Sequence, residues 1–354
     1  MTGMFSRAFV AALAACWLAA AGAQQTAAPL PAERDPAKLE GDLTKLQQQR
    51  QQSQPLNNAP VWKEVRSGAP QYTSLPGRET NVLIQSEGQT WRATRVPIAT
   101  VGGFLFVATL LAIAAFYLWR GPIRVHGAPS GRLIERFSAV ERTVHWTVAI
   151  CFVTLGITGL IITFGKTVLL PLIGYTLFAW LAVLAKNLHN FVGPILVIAL
   201  PIMIVLFLHE NLFRSYDWAW FRKMGGYVTG EHVPAGKANA GQKVLFWLMV
   251  VIVGLTLCVT GLILDFPNFN QTRQTMQTAN TIHLIAGIVG VVLVAGHIYL
   301  GTVGMRGAWE AMRYGYVDET WAREHHEYWY NDVMAGRVKR GEAPRELPPV
   351  RRPA

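Results

Sequence analysis

The sequence predicts an all-α integral membrane protein: a four-helix bundle preceded by one extra N-terminal transmembrane helix and a small periplasmic extension. Three observations predict it. Of the 354 residues, 51% are apolar and only 15% charged, where a soluble domain carries about 25% charged residues. Several uncharged apolar runs approach or exceed the roughly 18 residues that mark a bilayer span. The basic residues that produce the net charge of +11 flank those runs, as membrane topology requires. A purely soluble enzyme, a disordered chain and a nucleic-acid-binding protein are thereby excluded.

Residues 1–23 read as a secretory signal. Arg7 lies in a short basic region, an apolar stretch follows, and Ala21-Gly22-Ala23 suits signal peptidase. Leu13-Ala14-Ala15-Cys16 offers a competing lipobox, although the apolar run continues past that cysteine. In either case the chain begins outside the cytoplasm. Residues 24–96 carry nine Lys/Arg, seven Asp/Glu and a glutamine-rich run and form a periplasmic extension, flexible or weakly helical in its first half. Segments 81–85 and 90–94 flank Ser86-Glu87-Gly88-Gln89 as a small hairpin.

Apolar runs at 97–119, 145–165, 191–208, 244–264 and 282–301 predict five spans. A further run at 167–185 is equally free of charge, so hydropathy alone would count six. Charge parity decides for five. Segments 120–142 and 210–243 hold five Lys/Arg each and the tail from 304 holds nine, whereas 166–190 and 265–280 hold two and one. Five spans put all three basic segments in the cytoplasm. The run 167–185, interrupted by Pro171 and Gly174, is then expected to lie along or dip into the periplasmic face. The expected divisions are signal 1–23, extension 24–96, first transmembrane helix 97–120, four-helix domain 121–335 and cytoplasmic tail 336–354. The mature N-terminus is expected in the periplasm and the C-terminus in the cytoplasm, in a bacterial inner membrane.

Ionisable groups within a membrane are costly and default to function. Of nine histidines, His145, His189, His283 and His297 lie in or at the ends of spans. Fourteen residues separate His283 from His297, a rise of about 21 Å with a net rotation of about 40°. The two therefore share a helix face near opposite leaflets. By depth, His189 pairs with His283 toward the periplasm and His145 with His297 toward the cytoplasm. Two imidazoles from facing helices are what one b-type haem iron requires, making the core a haem-b bundle with two haems stacked across the membrane. Gly193 and Gly287, each four residues beyond a histidine, leave room for a flat macrocycle on that face; Gly156 and Gly159 could do the same in the second span. Packing histidines bonded to carbonyls are the plain alternative, which four depth-matched residues on three helices disfavour. His209 is expected to be no ligand, since twenty residues from His189 place it about 200° round the helix and deeper. Adjacent His325 and His326 point to different sides and lack further ligands, so packing rather than metal binding is expected. Asp265 is expected to cap a loop. Cys16, Cys151 and Cys258 form no CxxC, CxxCH or disulfide pattern.

Over residues 133–335 the sequence resembles the gamma subunit of membrane-bound formate dehydrogenase, a dihaem cytochrome b. The resemblance is carried by Val144-His145-Trp146-Thr147-Val148, Leu188-His189 with Gly193, and Gly236-Lys237 followed by Asn239-Ala240-Gly241-Gln242-Lys243 and Phe246-Trp247. The His283/His297 spacing and the tail residues Trp321-Ala322, His325-His326 and Trp329-Tyr330 complete it. It implies His189 and His283 as ligands of the periplasmic haem and His145 and His297 as ligands of the cytoplasmic one. It also implies a quinone site at Asn239, Gly241, Gln242 and His297, although Asn239 could simply cap the fourth span and Gly241 turn the chain. The implied partners are an iron–sulfur beta subunit and a molybdenum- or tungsten-containing catalytic alpha subunit, besides membrane lipid and quinone. The histidine layout is shared with cytochrome b subunits of hydrogenases and thiosulfate reductases. A haem-free anchor or a transporter is the alternative of another class, but no inverted repeat of the transporter kind is present.

Overall fold

The structure is a computed structural model that describes residues 41, 44, 45, 48, 49, 67, 86–269 and 271–338. The expected signal with its competing Cys16 lipobox, most of the extension and the last residues of the tail lie outside the described residues. Contacts divide the chain into two units, 1–97 and 98–354, and everything below concerns the second unless stated.

Among the described residues, five helices are long and apolar enough to cross a membrane. The first, α1 (Ser86–Arg120), starts earlier than the apolar run it contains. Residues 90–94 are its opening turns, so the expected hairpin is not formed. Their sequence, Thr-Trp-Arg-Ala-Thr, contains no turn residue that would oppose a helix extending back from the apolar run that follows. Pro97 lies inside this 35-residue helix, where it removes one intrahelical N–H donor.

The helix α2 (Ala139–Val168) begins at a capping box. The Ser138 hydroxyl accepts from the Glu141 amide at 3.2 Å, and the Glu141 carboxylate accepts from the Ser138 amide at 2.7 Å. It turns at once into α3 (Leu170–Phe207), where Gly174 takes φ +76° and kinks the chain. Thus the apolar run 167–185 is no separate surface segment. It completes α2, makes the turn and supplies the first turns of the third span. Pro171 sits at the helix start, where its missing N–H costs nothing, and residues 175–188 contain nothing that would stop a helix. Among the described residues the span count stays at five, as charge parity required.

The fourth span, α5 (Ala240–Asp265), follows the short helix α4 (Asp217–Arg222). Its middle, Phe246–Val253, is wound as a π-helix, a winding that is rare and costly in isolation. The fifth, α6 (Arg273–Tyr299), ends in a further π-helical turn over Leu300–Gly304. Apolar side chains such as Phe191 (76% exposed), Ile198 and Val259 point outward from the bundle, as lipid-facing residues must. Inside lie Val148, Cys151, Leu196, Ala199, Leu200 and Cys258.

A small module closes one end of the bundle. Strand β1 (Leu133–Glu135) pairs antiparallel with β2 (Tyr316–Asp318), and α7 (Ala308–Tyr314), α8 (Glu319–His325) and α9 (Glu327–Met334) surround them. Ile134, Val317, Trp321, Ala322 and Trp329 form its core. Trp146 of α2 donates from Nε1 to the Met312 carbonyl at 3.2 Å, tying the module to the helix that carries His145.

Candidate functional site: two facing histidine pairs

The four span histidines form the two expected pairs. His189 of α3 faces His283 of α6 with ring centroids 6.1 Å apart, and His145 of α2 faces His297 of α6, also at 6.1 Å. That separation has a simple meaning. Two imidazole–metal bonds of about 2.0 Å, with about 1.1 Å from each nitrogen to its ring centre, would hold the centroids about 6.2 Å apart. The pairs are thus spaced for one metal ion between two opposed imidazoles, too far apart for a direct hydrogen bond. Among the described residues no cluster of three or more His, Cys, Asp or Glu exists, so a bare ion held by protein ligands alone is not what either pair offers.

The helix faces next to the histidines are open. A Cβ added at Gly193, at Gly287 or at Gly301 would meet no atom within 4 Å. Each of these stands four residues after a histidine, on the adjacent turn of its face. Gly156, by contrast, is occupied by packing against Val291, and Gly159 lies beside the His189 ring.

The His189–His283 pair carries a feature that the histidine pattern alone did not reveal. His189 Nδ1 lies 2.8 Å from the Thr158 hydroxyl, and His283 Nδ1 lies 2.9 Å from the Thr260 hydroxyl. Each threonine stands on the helix neighbouring its histidine, α2 and α5 respectively. The signal is in the sequence as a repeat: Thr158-Gly159-Leu160-Ile161 recurs as Thr260-Gly261-Leu262-Ile263. In both copies the glycine backs onto the imidazole, its added Cβ falling 3.5 Å from the ring Cε1.

Asn239 and Gln242 form a second capping box at the start of α5. The Asn239 side chain accepts from the Gln242 amide at 2.9 Å, and the Gln242 side chain accepts from the Asn239 amide at 3.0 Å. Their carbonyl oxygens are therefore engaged, while both NH2 groups keep donor capacity; that of Asn239 reaches the Tyr227 hydroxyl at 3.5 Å. Gly241 is required for space and not for a turn: it lies in the first turn of α5, and a Cβ there would fall 2.6 Å from the Trp220 ring. His297 makes no hydrogen bond to these three residues among the described ones.

His209 lies exposed in the turn after α3, outside both pairs, and Asp265 is the last residue of α5. His325 and His326 hold no metal cluster among the described residues, and His326 is a buried packing residue. It is 1% exposed, with Nδ1 2.6 Å from the Gly236 carbonyl and Nε2 2.8 Å from the Arg136 guanidinium. Arg136 donates in turn to the Lys237 carbonyl at 2.9 Å. Burial pushes the Arg136 pKa down to about 9. Burial, reinforced by Arg136, holds the His326 imidazole well below its ordinary range, so the ring is neutral, donating from Nδ1 and accepting at Nε2. The latch fastens the tail to the loop that leads into Asn239.

Paired intramembrane histidines on a five-span all-helical chain define a membrane cytochrome b. The chain belongs to the prokaryotic cytochrome b561 family, whose pattern matches residues 136–315. Over 218 residues it is 32% identical to the formate dehydrogenase cytochrome b556(fdo) subunit of Escherichia coli (strain K12), covering 59% of this chain and 97% of that protein. It is 31% identical over 220 residues to the nitrate-inducible cytochrome b556(Fdn) subunit of the same organism, covering 59% and 95%. With the formate dehydrogenase cytochrome b556 subunit of Haemophilus influenzae it shares 27% over 218 residues, covering 58% and 86%. The resemblance to formate dehydrogenase cytochrome b subunits thus holds over nearly the full length of those relatives, and haem b is the cofactor such a family carries. The two pairs fit that group: neutral nitrogen donors from opposite walls, a metal-sized gap, and glycines on the flanking turns.

Proposed function

We propose that the chain is the transmembrane electron conduit of a formate dehydrogenase complex. On this reading it receives electrons from an iron–sulfur beta subunit at the periplasmic face and delivers them to quinone at the cytoplasmic side of a bacterial inner membrane. Formate oxidation belongs to a molybdenum- or tungsten-containing alpha subunit. A bis-imidazole haem b supplies one-electron exchange between ferric and ferrous iron. His189 and His283 would hold the periplasmic haem, and His145 and His297 the cytoplasmic one. Asn239, Gly241, Gln242 and His297 would border the quinone, the remaining N–H donor capacity of the Asn239 and Gln242 amides serving a quinone oxygen. Residues 1–23 would be the cleaved signal and 24–96 the extension that meets the partner outside; 97–120, 121–335 and 336–354 would be the first span, the haem domain and the cytoplasmic tail.

The observation that carries this reading is the equal 6.1 Å separation of both pairs, with two of the four histidines fourteen residues apart on one helix face. A hydrogenase or thiosulfate-reductase cytochrome b would share that geometry; the formate dehydrogenase relatives favour formate. Visible redox spectra of the purified chain test the conduit. Two low-spin b haems per polypeptide are expected, and one after His283→Ala. A colourless preparation would mean a haem-free anchor, and unchanged haem content in the variant would remove His283 as a ligand.

A further inference from the structure

Only one of the two pairs is held by threonines. A threonine hydroxyl has a single proton, and within a helix it can give that proton to the carbonyl one turn back. Both threonines do so: Thr158 donates to the Thr154 carbonyl at 2.8 Å and Thr260 to the Thr256 carbonyl at 2.6 Å. With the proton spent there, each oxygen faces its histidine as an acceptor. His189 and His283 must then donate from Nδ1, which leaves the Nε2 lone pair of each free. The reverse assignment would put the proton on Nε2 and disable the ring as a ligand. In the other pair the corresponding atom is bare, because His145 Nδ1 is buried without a hydrogen-bond partner.

An acceptor on the distal N–H fixes the ring and makes the imidazole a stronger donor. A stronger donor favours ferric over ferrous iron and lowers the reduction potential, one of the protein's few means of setting it. We propose that Thr158 and Thr260 are paired positioning residues that lock His189 and His283 as Nδ1–H donors and make the haem they hold the lower-potential of the two. The inner haem, with at least one ligand lacking such an acceptor, lies higher. Electrons delivered from the periplasm then move downhill toward quinone. The inference rests on the two-haem conduit proposed above and deepens it by giving the path a direction.

The test is a potentiometric titration of the full-length chain purified with its haems, alongside haem quantitation. In the native protein two b haems should titrate separately. Thr158→Val and Thr260→Val are nearly isosteric and remove only the acceptor. Each should shift the ferric–ferrous equilibrium of the lower-potential haem about three- to tenfold toward ferrous, tenfold being 59 mV for one electron. The double variant should shift it further, and the higher-potential haem should stay put. Thr158→Ser and Thr260→Ser, which keep the hydroxyl, should restore the native value. If a valine variant loses one haem while its serine counterpart keeps it at the native potential, the hydroxyl still proves to be what holds the ligand. The inference is overturned if neither valine variant moves the lower potential, if the higher one moves instead, or if serine behaves like valine. A native chain without two b haems would instead refute the conduit, before any variant is compared.

Discussion

The loop before α5 is anchored by a buried ion pair whose removal has a calculable cost. Lys243 Nζ lies 2.7 Å from Asp217 Oδ2, with side chains only 1% and 3% exposed. The same carboxylate oxygen accepts from the Arg214 amide at 2.7 Å, and the ammonium sits 5.1 Å over the Tyr216 ring. Asp217→Ala leaves the Lys243 charge buried, with only the ring facing it. Stranding one member of a buried pair costs about 3–5 kcal/mol, and the cation–π contact, present with or without Asp217, does not offset it. A loss of about 3–5 kcal/mol is therefore expected. Replacing both partners, as in Asp217→Ala with Lys243→Met, leaves no charge stranded, and removing both members of a buried pair costs less than removing one. The double variant should thus be more stable than Asp217→Ala alone, a coupling that a double-mutant cycle reads directly. Detergent-induced unfolding followed by far-ultraviolet circular dichroism measures all four corners of the cycle. A loss below about 1 kcal/mol in Asp217→Ala, or single effects that simply add, would show that the pair does not anchor this loop.

Three further outcomes are expected. Asn239→Leu should lower helix-start stability by about 1 kcal/mol through loss of the cap, and should impair quinone reduction with both haems retained. Asn239→Ser keeps a capping oxygen but no amide, so steady-state kinetics with a soluble quinone separate the two roles: normal rates in the serine variant would leave Asn239 as a cap only. Docking of the tail should weaken in acid. His326 is neutral and well below the ordinary value of 6.5, and His325 is pushed down by burial to about 4. Because the folded form binds fewer protons than the unfolded one, their contribution is complete above pH 6.5 and declines as pH falls toward 4. Limited proteolysis of the tail should quicken across that window, and a flat profile would contradict it. Gly241→Ala should displace Trp220, read as a change in tryptophan fluorescence and a loss of stability; an unperturbed spectrum would mean that the ring has room.

The span count and the two facing histidine pairs were legible because the physics behind each is periodic or additive. Apolar length is set by bilayer thickness, loop charge by translocation, and the His283/His297 face by helical rotation. What escaped was set by local competition. Nothing in 86–94 states that the helix of the following apolar run will extend back through the turn signal Ser86-Glu87-Gly88-Gln89. Likewise the run 167–185 looks like a span by composition; only the left-handed conformation of Gly174 shows that the chain turns before it and continues after it. His326 read as packing, but nothing in its neighbours indicated that it would be buried against Arg136, because that contact spans 190 residues. The threonines were readable in principle. Their Thr-Gly-Leu-Ile repeat was present, yet a threonine in an apolar helix usually bonds its own backbone, and only the facing histidine gives the remaining lone pair a purpose.

That repeat also explains why the two layers differ. Thr158 lies thirteen residues after His145 on α2; thirteen residues before Thr260 on α5 stands Trp247, not a histidine. The α5 copy carries no imidazole at that register: Trp247 lies in the π-helical stretch and donates from Nε1 to the Asn211 carbonyl at 2.9 Å. At the depth of His145 the facing imidazole is His297 of α6, which carries histidines at both depths, and α5 gives that layer no imidazole of its own. In the outer layer each histidine-bearing helix has a neighbour, α2 or α5, that offers a hydroxyl at the same register. A symmetric outer site and an asymmetric inner one follow from a repeat kept at one depth and broken at the other. Placing a histidine at Trp247 should not create a third ligand, since the π-winding shifts the face that position presents; a new bis-histidine signature in the spectrum of Trp247→His would contradict that account.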